Sequence, residues 1–157
     1  KLCLEHGGIP FEDYSQVREW VNQLLDALDK MDLPQCLCHI DANVDNFLIF
    51  PDHSAKLLDW EYAGMCDPVM DVSMCAIYSY YNEEHTEKLL ELYLQRRPDD
   101  KERFITYADA ALGGLLWCLW AVYKASLGDE FGEYTIIMYR YAKRYYKKLM
   151  KELPQFF

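Results

Sequence analysis

The apolar positions in the first part of the chain recur every three or four residues. Between Asp13 and Pro34 they form one stripe, made of Val17, Trp20, Val21, Leu24, Leu25, Leu28 and Met31. This spacing is typical of an amphipathic helix that buries one face. Asp13, with Gln16 three residues later, has the spacing of a capping box and predicts the start of that helix. Pro34 predicts its end.

Four further helical segments are predicted in the second half of the chain, over 69–81, 83–95, 101–125 and 130–152. Asp99 and Glu102 predict a capping box at the start of the third of these helices. The centre of that helix is apolar nearly all round, so we expect it to form the core. Its longest apolar run, Ala110 to Tyr123, is shorter than the roughly 20 residues of a membrane span. No membrane insertion is therefore predicted.

The middle of the chain has a different pattern, in which short apolar runs alternate with polar loops. The runs are 35–40, 47–50 and 55–58, and Pro51-Asp52-His53-Ser54 is a turn sequence between the last two. Each run is too short for a stable helix, whereas two strands joined by that turn would form a hairpin. The segment 63–68 is interpreted as a loop. The whole pattern predicts an α+β fold that is mainly helical, with a small β-hairpin or sheet.

Composition narrows the class of protein. The chain has 157 residues, of which 52% are hydrophobic and 27% charged, and this predicts a single globular domain over residues 1–157. The net charge of -10 argues against a nucleic-acid partner, since binding to phosphates needs a basic face. Six cysteines lie mostly in apolar runs, which is typical of reduced, buried thiols in a cytoplasmic protein. No feature of the sequence assigns an oligomeric state.

The polar loop after the first apolar run carries the candidate chemistry. His39, Asp41 and Asn46 have the spacing H-x-D-x-x-x-x-N of a phosphoryl-transfer catalytic loop, in which Asp41 has the position of the base. Asp59 follows the next hairpin, at the usual place of a metal-binding carboxylate. Because the paired ends of a hairpin are close, Asn46 and Asp59 are expected to face one another as ligands of Mg²⁺ on ATP. His39 would brace the loop, and Glu61 could assist through water.

Two metal-site interpretations compete for the same residues. His39, Asp41 and His53 suggest a metal hydrolase, but a second convincing set of ligands is missing. Cys36, Cys38 and His39 suggest the start of a zinc site, but no partner pair follows at zinc spacing. Phosphoryl transfer is favoured over both because the strand contexts and the acid after the hairpin fit it.

Several blocks of the sequence resemble the C-terminal lobe of the choline/ethanolamine kinase family, part of the aminoglycoside-phosphotransferase-like and protein-kinase-like superfamily. They are Cys38-His39-Ile40-Asp41, Asn46-Phe47-Leu48, Leu58-Asp59-Trp60-Glu61-Tyr62-Ala63-Gly64, Asp67-Pro68, Asp71 and Leu116-Trp117-Cys118-Leu119-Trp120. The resemblance covers most of the chain and is strongest to bacterial choline kinases, through Asp59 to Met65. It implies an ATP- and Mg²⁺-dependent enzyme that phosphorylates the hydroxyl of choline or a related amino alcohol.

The resemblance also implies roles for individual residues. By position, Asp41 resembles the catalytic base, and Asn46 and Asp59 resemble the magnesium ligands. Asp71 resembles the structural acid that supports the catalytic loop. The N-terminal lobe of the family, with its phosphate-covering loop and nucleotide-binding lysine, has no counterpart in these 157 residues. The chain is therefore expected to be the C-terminal lobe alone and to turn over ATP poorly by itself.

A pair of tryptophans is the candidate substrate site. Trp117 and Trp120 are three residues apart, so they share one face of the predicted core helix. Aromatic rings hold quaternary ammonium groups by cation–π attraction, and the resemblance places this pair in the choline pocket. Gly113, on the same face, is expected to leave open space beside Trp117. Without the catalytic motif, the pair would be interpreted as part of the core. Further walls are expected from Tyr62, Tyr78, Tyr81 and Tyr134.

The sequence leaves the identity of the acceptor alcohol open. The family usually has a pocket tyrosine near the last helix. In this sequence the nearest alignment places Ile136 at that position, with Tyr134 adjacent. A kinase for ethanolamine or an aminoglycoside is one alternative, although an aminoglycoside site would be lined by many acids. A degenerate kinase lobe that binds a cation without catalysis is the other.

Overall fold

The structure, a computed structural model, describes residues 2–5 and 7–157. Its helices are α1 (Leu2–Glu5), α2 (Tyr14–Asp29), α3 (Met70–Tyr78), α4 (Glu83–Leu94), α5 (Asp100–Ser126) and α6 (Tyr134–Glu152). Its strands are β1 (Cys36–Cys38), β2 (Phe47–Ile49), β3 (Ala55–Leu57) and β4 (Gly64–Cys66). The prediction of a mainly helical α+β fold is confirmed, and each helix predicted from apolar spacing is present.

Helix α5 lies at the centre of the fold. It contacts α2, α3 and α6, and Phe104, Ala108 and Cys118 are among its fully buried residues. Gly114 is needed where α5 meets α6, because a Cβ there would lie 2.8 Å from the Met138 carbonyl oxygen. By length and composition α5 could cross a membrane, but 72% of its most apolar window is buried inside the protein. Packing in the core therefore accounts for its apolar length.

The two predicted capping boxes have different outcomes. At α5, the Asp99 side chain accepts a hydrogen bond from the Glu102 N–H, and the Glu102 side chain accepts one from the Asp99 N–H, as predicted. At α2, Asp13 occupies the N-cap position but makes no capping hydrogen bond. Its carboxylate instead binds the Tyr139 hydroxyl and the Lys143 ammonium on α6. The prediction of a capping box at Asp13 is therefore wrong, because a contact between helices replaces the local hydrogen bond.

The strands form two separate two-stranded antiparallel sheets. The predicted hairpin is present, with Phe47 opposite Leu57 and Ile49 opposite Ala55. β1 pairs with β4, so the segment 63–68 contains a strand where the sequence pattern predicts a loop. β4 has three residues, one of them glycine, and its partner lies far away in the sequence. Its formation depends on that distant pairing, which no local pattern marks.

Candidate active site

One carboxylate holds the catalytic-loop motif through its backbone. Asp71 Oδ2 accepts a hydrogen bond from the His39 N–H at 2.9 Å, and Asp71 Oδ1 accepts one from the Ile40 N–H at 2.7 Å. Ile40 has a φ of 68°, which is unfavourable for a β-branched residue. The two bonds from Asp71 stabilise the backbone in this conformation. Since Asp71 lies in the first turn of α3, the helical part of the molecule positions the loop.

His39 is fully buried beneath this loop. Its Nε2 lies 2.6 Å from the Leu58 carbonyl oxygen, and because a carbonyl can only accept, Nε2 carries the proton. This bond joins the residue after β1 to the residue after β3. The imidazole also meets the Trp60 ring edge-on, with 4.8 Å between centroids. Through these contacts the His39 side chain supports the loop from the buried side.

The competing metal-site interpretations gain no support from these positions. Among the residues that the structure describes, no three His, Cys, Asp or Glu side chains are grouped so that they could hold a metal ion. The Nε2 atom of His39 is taken up by the Leu58 carbonyl. The hydrolase and zinc alternatives therefore lack a ligand set.

Asp41 and Asn46 are hydrogen-bonded to each other. The Asn46 Nδ2 amide donates to Asp41 Oδ2 at 3.1 Å and to the Asp41 carbonyl oxygen at 3.0 Å. Because the amide nitrogen makes both bonds, the amide oxygen of Asn46 is the atom that can bind a cation. The Asn46 carbonyl oxygen accepts from the Leu58 N–H at 2.8 Å, which continues the β2–β3 ladder. Asp59 comes next, with a φ of 60°.

The donor set at this end of the hairpin suits magnesium. The Asn46 amide oxygen and the Asp59 carboxylate are hard oxygen ligands. Magnesium in phosphoryl-transfer enzymes takes one or two protein ligands and completes its shell with phosphate oxygens and water. Glu61, two residues beyond Asp59, lines the adjoining cavity. Asn46 and Asp59 therefore supply oxygen donors of the type that such a metal ion takes.

An aromatic cavity of about 360 Å³ opens beside Asp41. Trp117 is the centre of its wall, and the Trp117 ring centroid lies 5.6 Å from that of Tyr62. The Tyr78 and Trp120 centroids each lie 5.7 Å from that of Trp117. The full lining, aromatic except for two acids and one amide, is Asp41, Asn43, Glu61, Tyr62, Tyr78, Trp117, Trp120, Phe131 and Tyr134.

All but one of the expected substrate-site residues line this cavity. The exception is Tyr81, whose ring lies 5.5 Å from that of His85 and whose carbonyl oxygen accepts a hydrogen bond from Tyr141. Tyr80, just before it, has a φ of 54°. The chain therefore turns at the end of α3 and directs Tyr81 toward α4 and α6. The expectation that Tyr81 forms a wall of the pocket is not met.

Two further features of the cavity differ from expectation. Phe131, between α5 and α6, lines the cavity with its ring centroid 5.3 Å from that of Trp120, although no motif in the sequence indicates it. The one feature of the sequence that could have indicated Phe131 is its position next to Gly132, which has a φ of 52°. The open space expected at Gly113 is absent, because a Cβ there would lie 2.3 Å from Met74 Cε. Gly113 accommodates a neighbouring helix.

Two tyrosines of the cavity, Tyr78 and Tyr134, have raised pKa values. Burial raises the pKa of Tyr78 well above its usual value, and the nearby Asp41 charge raises it further. Burial also raises the pKa of Tyr134. Both hydroxyls therefore stay protonated at neutral pH and can donate a hydrogen bond to a ligand. The Tyr78 hydroxyl and Trp117 Nε1 are buried and have no partner of good geometry in the described part of the chain.

The chain is similar to known phosphotransferases in sequence. Residues 5–105 match the profile of the phosphotransferase enzyme family (APH), a range that includes the catalytic loop and Asp71. Protein LicA of Haemophilus influenzae is 29% identical over 123 residues, which cover 74% of this chain and 44% of that protein.

Solved structures share the fold. The choline kinase LicA from Streptococcus pneumoniae gives a TM-score of 0.75 at 30% identity, over 89% of this chain and 50% of that one. LicA has also been solved in complex with AMP. A choline/ethanolamine kinase family protein from Mesorhizobium loti gives a TM-score of 0.77 at 27% identity, over 98% of this chain and 52% of that one. The chain thus spans about half the length of these relatives, and it belongs to the phosphotransferase enzyme family, whose choline/ethanolamine kinases share its fold.

Proposed function

We propose that this chain forms the catalytic and acceptor-binding lobe of a kinase that transfers the γ-phosphoryl group of ATP to the hydroxyl of choline or a closely related amino alcohol. The observation that carries the proposal is that Asp41 and the aromatic rings line the same cavity. A quaternary ammonium group against Trp117 and Trp120 would leave the hydroxyl of the same molecule free to reach Asp41. Relatives that share the fold include a choline kinase.

Asp41 has the role of the base in this proposal. It orients the acceptor hydroxyl and takes its proton as the oxygen bonds to the γ-phosphorus and ADP leaves. Asn46 donates to one carboxylate oxygen of Asp41, so the other oxygen is available to the substrate. Asp71 fixes the backbone of His39 and Ile40, the two residues directly before Asp41. The base is therefore positioned by the chain itself before a substrate binds.

Asn46 and Asp59 would hold Mg²⁺, which when bound neutralises charge on the phosphates. The phosphate-covering loop and the nucleotide-binding lysine would come from a second lobe, in keeping with relatives of about twice the length. Residues 1–157 would then be the C-terminal lobe as one domain. The cysteines form no disulfide in the described residues, which fits a cytoplasmic enzyme.

The lining of the cavity favours a methylated ammonium over the alternative acceptors. An aminoglycoside carries several ammonium groups and needs many acids, whereas aromatic rings outnumber Asp41 and Glu61 here. Ethanolamine has the same hydroxyl, but its primary ammonium is strongly hydrated and gains less from contact with aromatic rings. Choline is therefore the acceptor that we expect to bind best.

The first experiment measures binding alone. Choline titrated into the chain should change its tryptophan fluorescence saturably, and Trp120→Leu should weaken that binding. Trp20→Phe is the matched control, because Trp20 stacks on Tyr146, away from the cavity. A titration curve that both variants leave unchanged would remove the aromatic cavity from the proposal.

The second experiment measures turnover. Protein expressed from its own gene should phosphorylate choline in preference to ethanolamine and kanamycin in the presence of ATP and Mg²⁺. Phosphorylation of kanamycin but not of choline would contradict the proposal. Choline binding without turnover, with no effect of Asp41→Asn, would instead establish a lobe that binds a cation without catalysis.

A further inference from the structure

A second and larger concavity, about 1050 Å³ in volume, runs along α6. We name it the α6 groove. Its lining includes Phe11, Tyr80, Arg140, Lys143, Arg144 and Lys147. The groove shares no lining residue with the aromatic cavity. It is therefore a separate site from the one that the proposed phosphoryl transfer uses.

The α6 groove concentrates positive charge in an acidic chain. Helix α6 carries six Lys and Arg residues and one acid, whereas the rest of the chain carries ten Lys and Arg residues and 25 acids. Four of the six α6 cations line the groove. Its two acids are Glu12 and Asp13, and Asp13 is already bound to Lys143 and to the Tyr139 hydroxyl.

Three cations of the groove form no ion pair with a carboxylate in residues 2–5 and 7–157. Arg144 is held by neutral groups instead: its guanidinium lies 4.9 Å from the Tyr141 ring centroid and donates to the Tyr81 carbonyl oxygen at 3.3 Å. Lys147 lies over a tryptophan ring, with its ammonium 5.6 Å from the centroid. Arg140 is exposed. Their charge is therefore available to an anionic ligand.

The helix brings these three cations to one side of the groove. Arg140, Arg144 and Lys147 are spaced by four and three residues, so they lie on one face of α6, with about 6 Å of helix rise between the two arginines. Two guanidinium groups at that spacing can converge on one phosphate or bind two linked phosphates, each through bidentate hydrogen bonds. Arg144 is already ordered by its stacking, which lowers the entropic cost of binding.

We propose that the α6 groove binds a phosphorylated small molecule. The paired arginines account for the phosphate, and Phe11 and Tyr80 offer aromatic surface to the organic part of the ligand. Tyr80 is 53% exposed and holds a left-handed backbone conformation at this position. The concave shape of the groove disfavours a flat anionic membrane as the ligand, since a bilayer would not reach into it.

The test uses inorganic pyrophosphate as the probe, titrated into the chain by isothermal calorimetry at constant ionic strength with EDTA present. EDTA removes divalent metal, so binding through a magnesium site does not contribute. We expect saturable binding of one pyrophosphate per chain. Arg140→Gln should weaken it roughly tenfold, because one charge-assisted contact is lost. Lys151→Gln, which removes an exposed cation of α6 outside the groove, should change the affinity by less than about twofold.

A second variant protects the test against a folding defect. Arg140→Lys keeps the charge but loses the planar fork, so its affinity should lie between those of the unmodified chain and Arg140→Gln. Equal weakening by Arg140→Gln and Lys151→Gln would overturn the proposal, because binding would then follow net charge alone. Absence of saturable binding would overturn it too. So would tighter binding of a poly-glutamate peptide, or of phosphatidylglycerol vesicles, than of pyrophosphate.

Discussion

The catalytic loop and the aromatic cavity are built by different means. The loop belongs to a short stretch, residues 39–71, held by hydrogen bonds to its backbone, and its Ile40 and Asp59 adopt left-handed conformations. The cavity gathers rings from residues 62–134, and Trp117 at its centre is part of the buried core. The loop thus depends on a few specific bonds, whereas the cavity depends on the packing of helices.

This difference suggests that chemistry and acceptor binding can be damaged separately. A change at Asp41 should remove turnover while the cavity still binds its ligand, because four of the six rings, Tyr78, Trp117, Trp120 and Tyr134, stand on helices. A change in the cavity should weaken binding, and it should also cost stability where the ring is buried.

The largest effect is expected from Asp41→Asn, which removes the proposed base. In the protein expressed from its own gene, we expect kcat to fall roughly 100- to 10,000-fold, while the choline affinity measured by fluorescence changes little. Asp45→Asn, an exposed substitution in the same loop, is the control and should keep turnover. Equal losses of affinity and turnover in Asp41→Asn would show that the two regions are not separable.

Asp71→Ala should have the next largest effect, on stability. It leaves the His39 and Ile40 N–H groups without their acceptor, and we expect the free energy of unfolding to fall by about 3 kcal/mol. Urea denaturation followed by circular dichroism measures this change. Asp52→Ala, in the exposed turn of the hairpin, should cost much less, since the Asp52 carboxylate binds the neighbouring Ser54 at the surface. A similar loss in both variants would mean that Asp71 is not a special support of the loop.

Trp120→Leu should have a moderate effect on binding. Trp120 is 36% exposed, so we expect choline affinity to fall roughly 2- to 30-fold with a small change in melting temperature. Trp117→Leu should lower the melting temperature as well, because Trp117 is buried in the core. The comparison would fail if Trp120→Leu destabilised the fold as much as Trp117→Leu does.

The smallest effect concerns Asp109, a fully buried residue of α5 next to Asp67. Burial raises the pKa of Asp109 well above its usual value, and the Asp67 charge raises it further. A raised folded pKa means that its stabilising contribution is complete below about pH 4 and is lost as the pH rises through the folded pKa. Asp109→Asn cannot ionise, so its melting temperature should fall less than that of the unmodified chain between pH 4 and 8. Parallel melting curves across that range would contradict this, and Asp100→Asn, exposed on the same helix, is the control.

Local sequence patterns predict an element correctly where the residues that determine it lie close together in the chain. The apolar repeat of a helix and the short runs around a turn are properties of neighbouring residues, so the helices and the β2–β3 hairpin follow from them. The hydrogen bond between the Asn46 carbonyl oxygen and the Leu58 N–H is where that hairpin is expected to close. The capping box of Asp99 is local in the same way.

The features that local patterns miss depend on distant partners. β4 forms only against β1, and Asp13 leaves its own helix for Tyr139 and Lys143. Phe131 enters the cavity because the segment after α5 folds back toward Trp120. In each case a contact made across the fold outweighs a preference encoded nearby in the chain.

The bonds from Asp71 to the loop have a consequence for the evolution of this sequence. Asp71 binds backbone N–H groups, which every residue except proline possesses, so it places no chemical demand on the side chains at positions 39 and 40. The contact from Asp71 can therefore persist through a change at position 40, whereas changes at His39 and Asn46, which bind through their side chains, alter the loop directly.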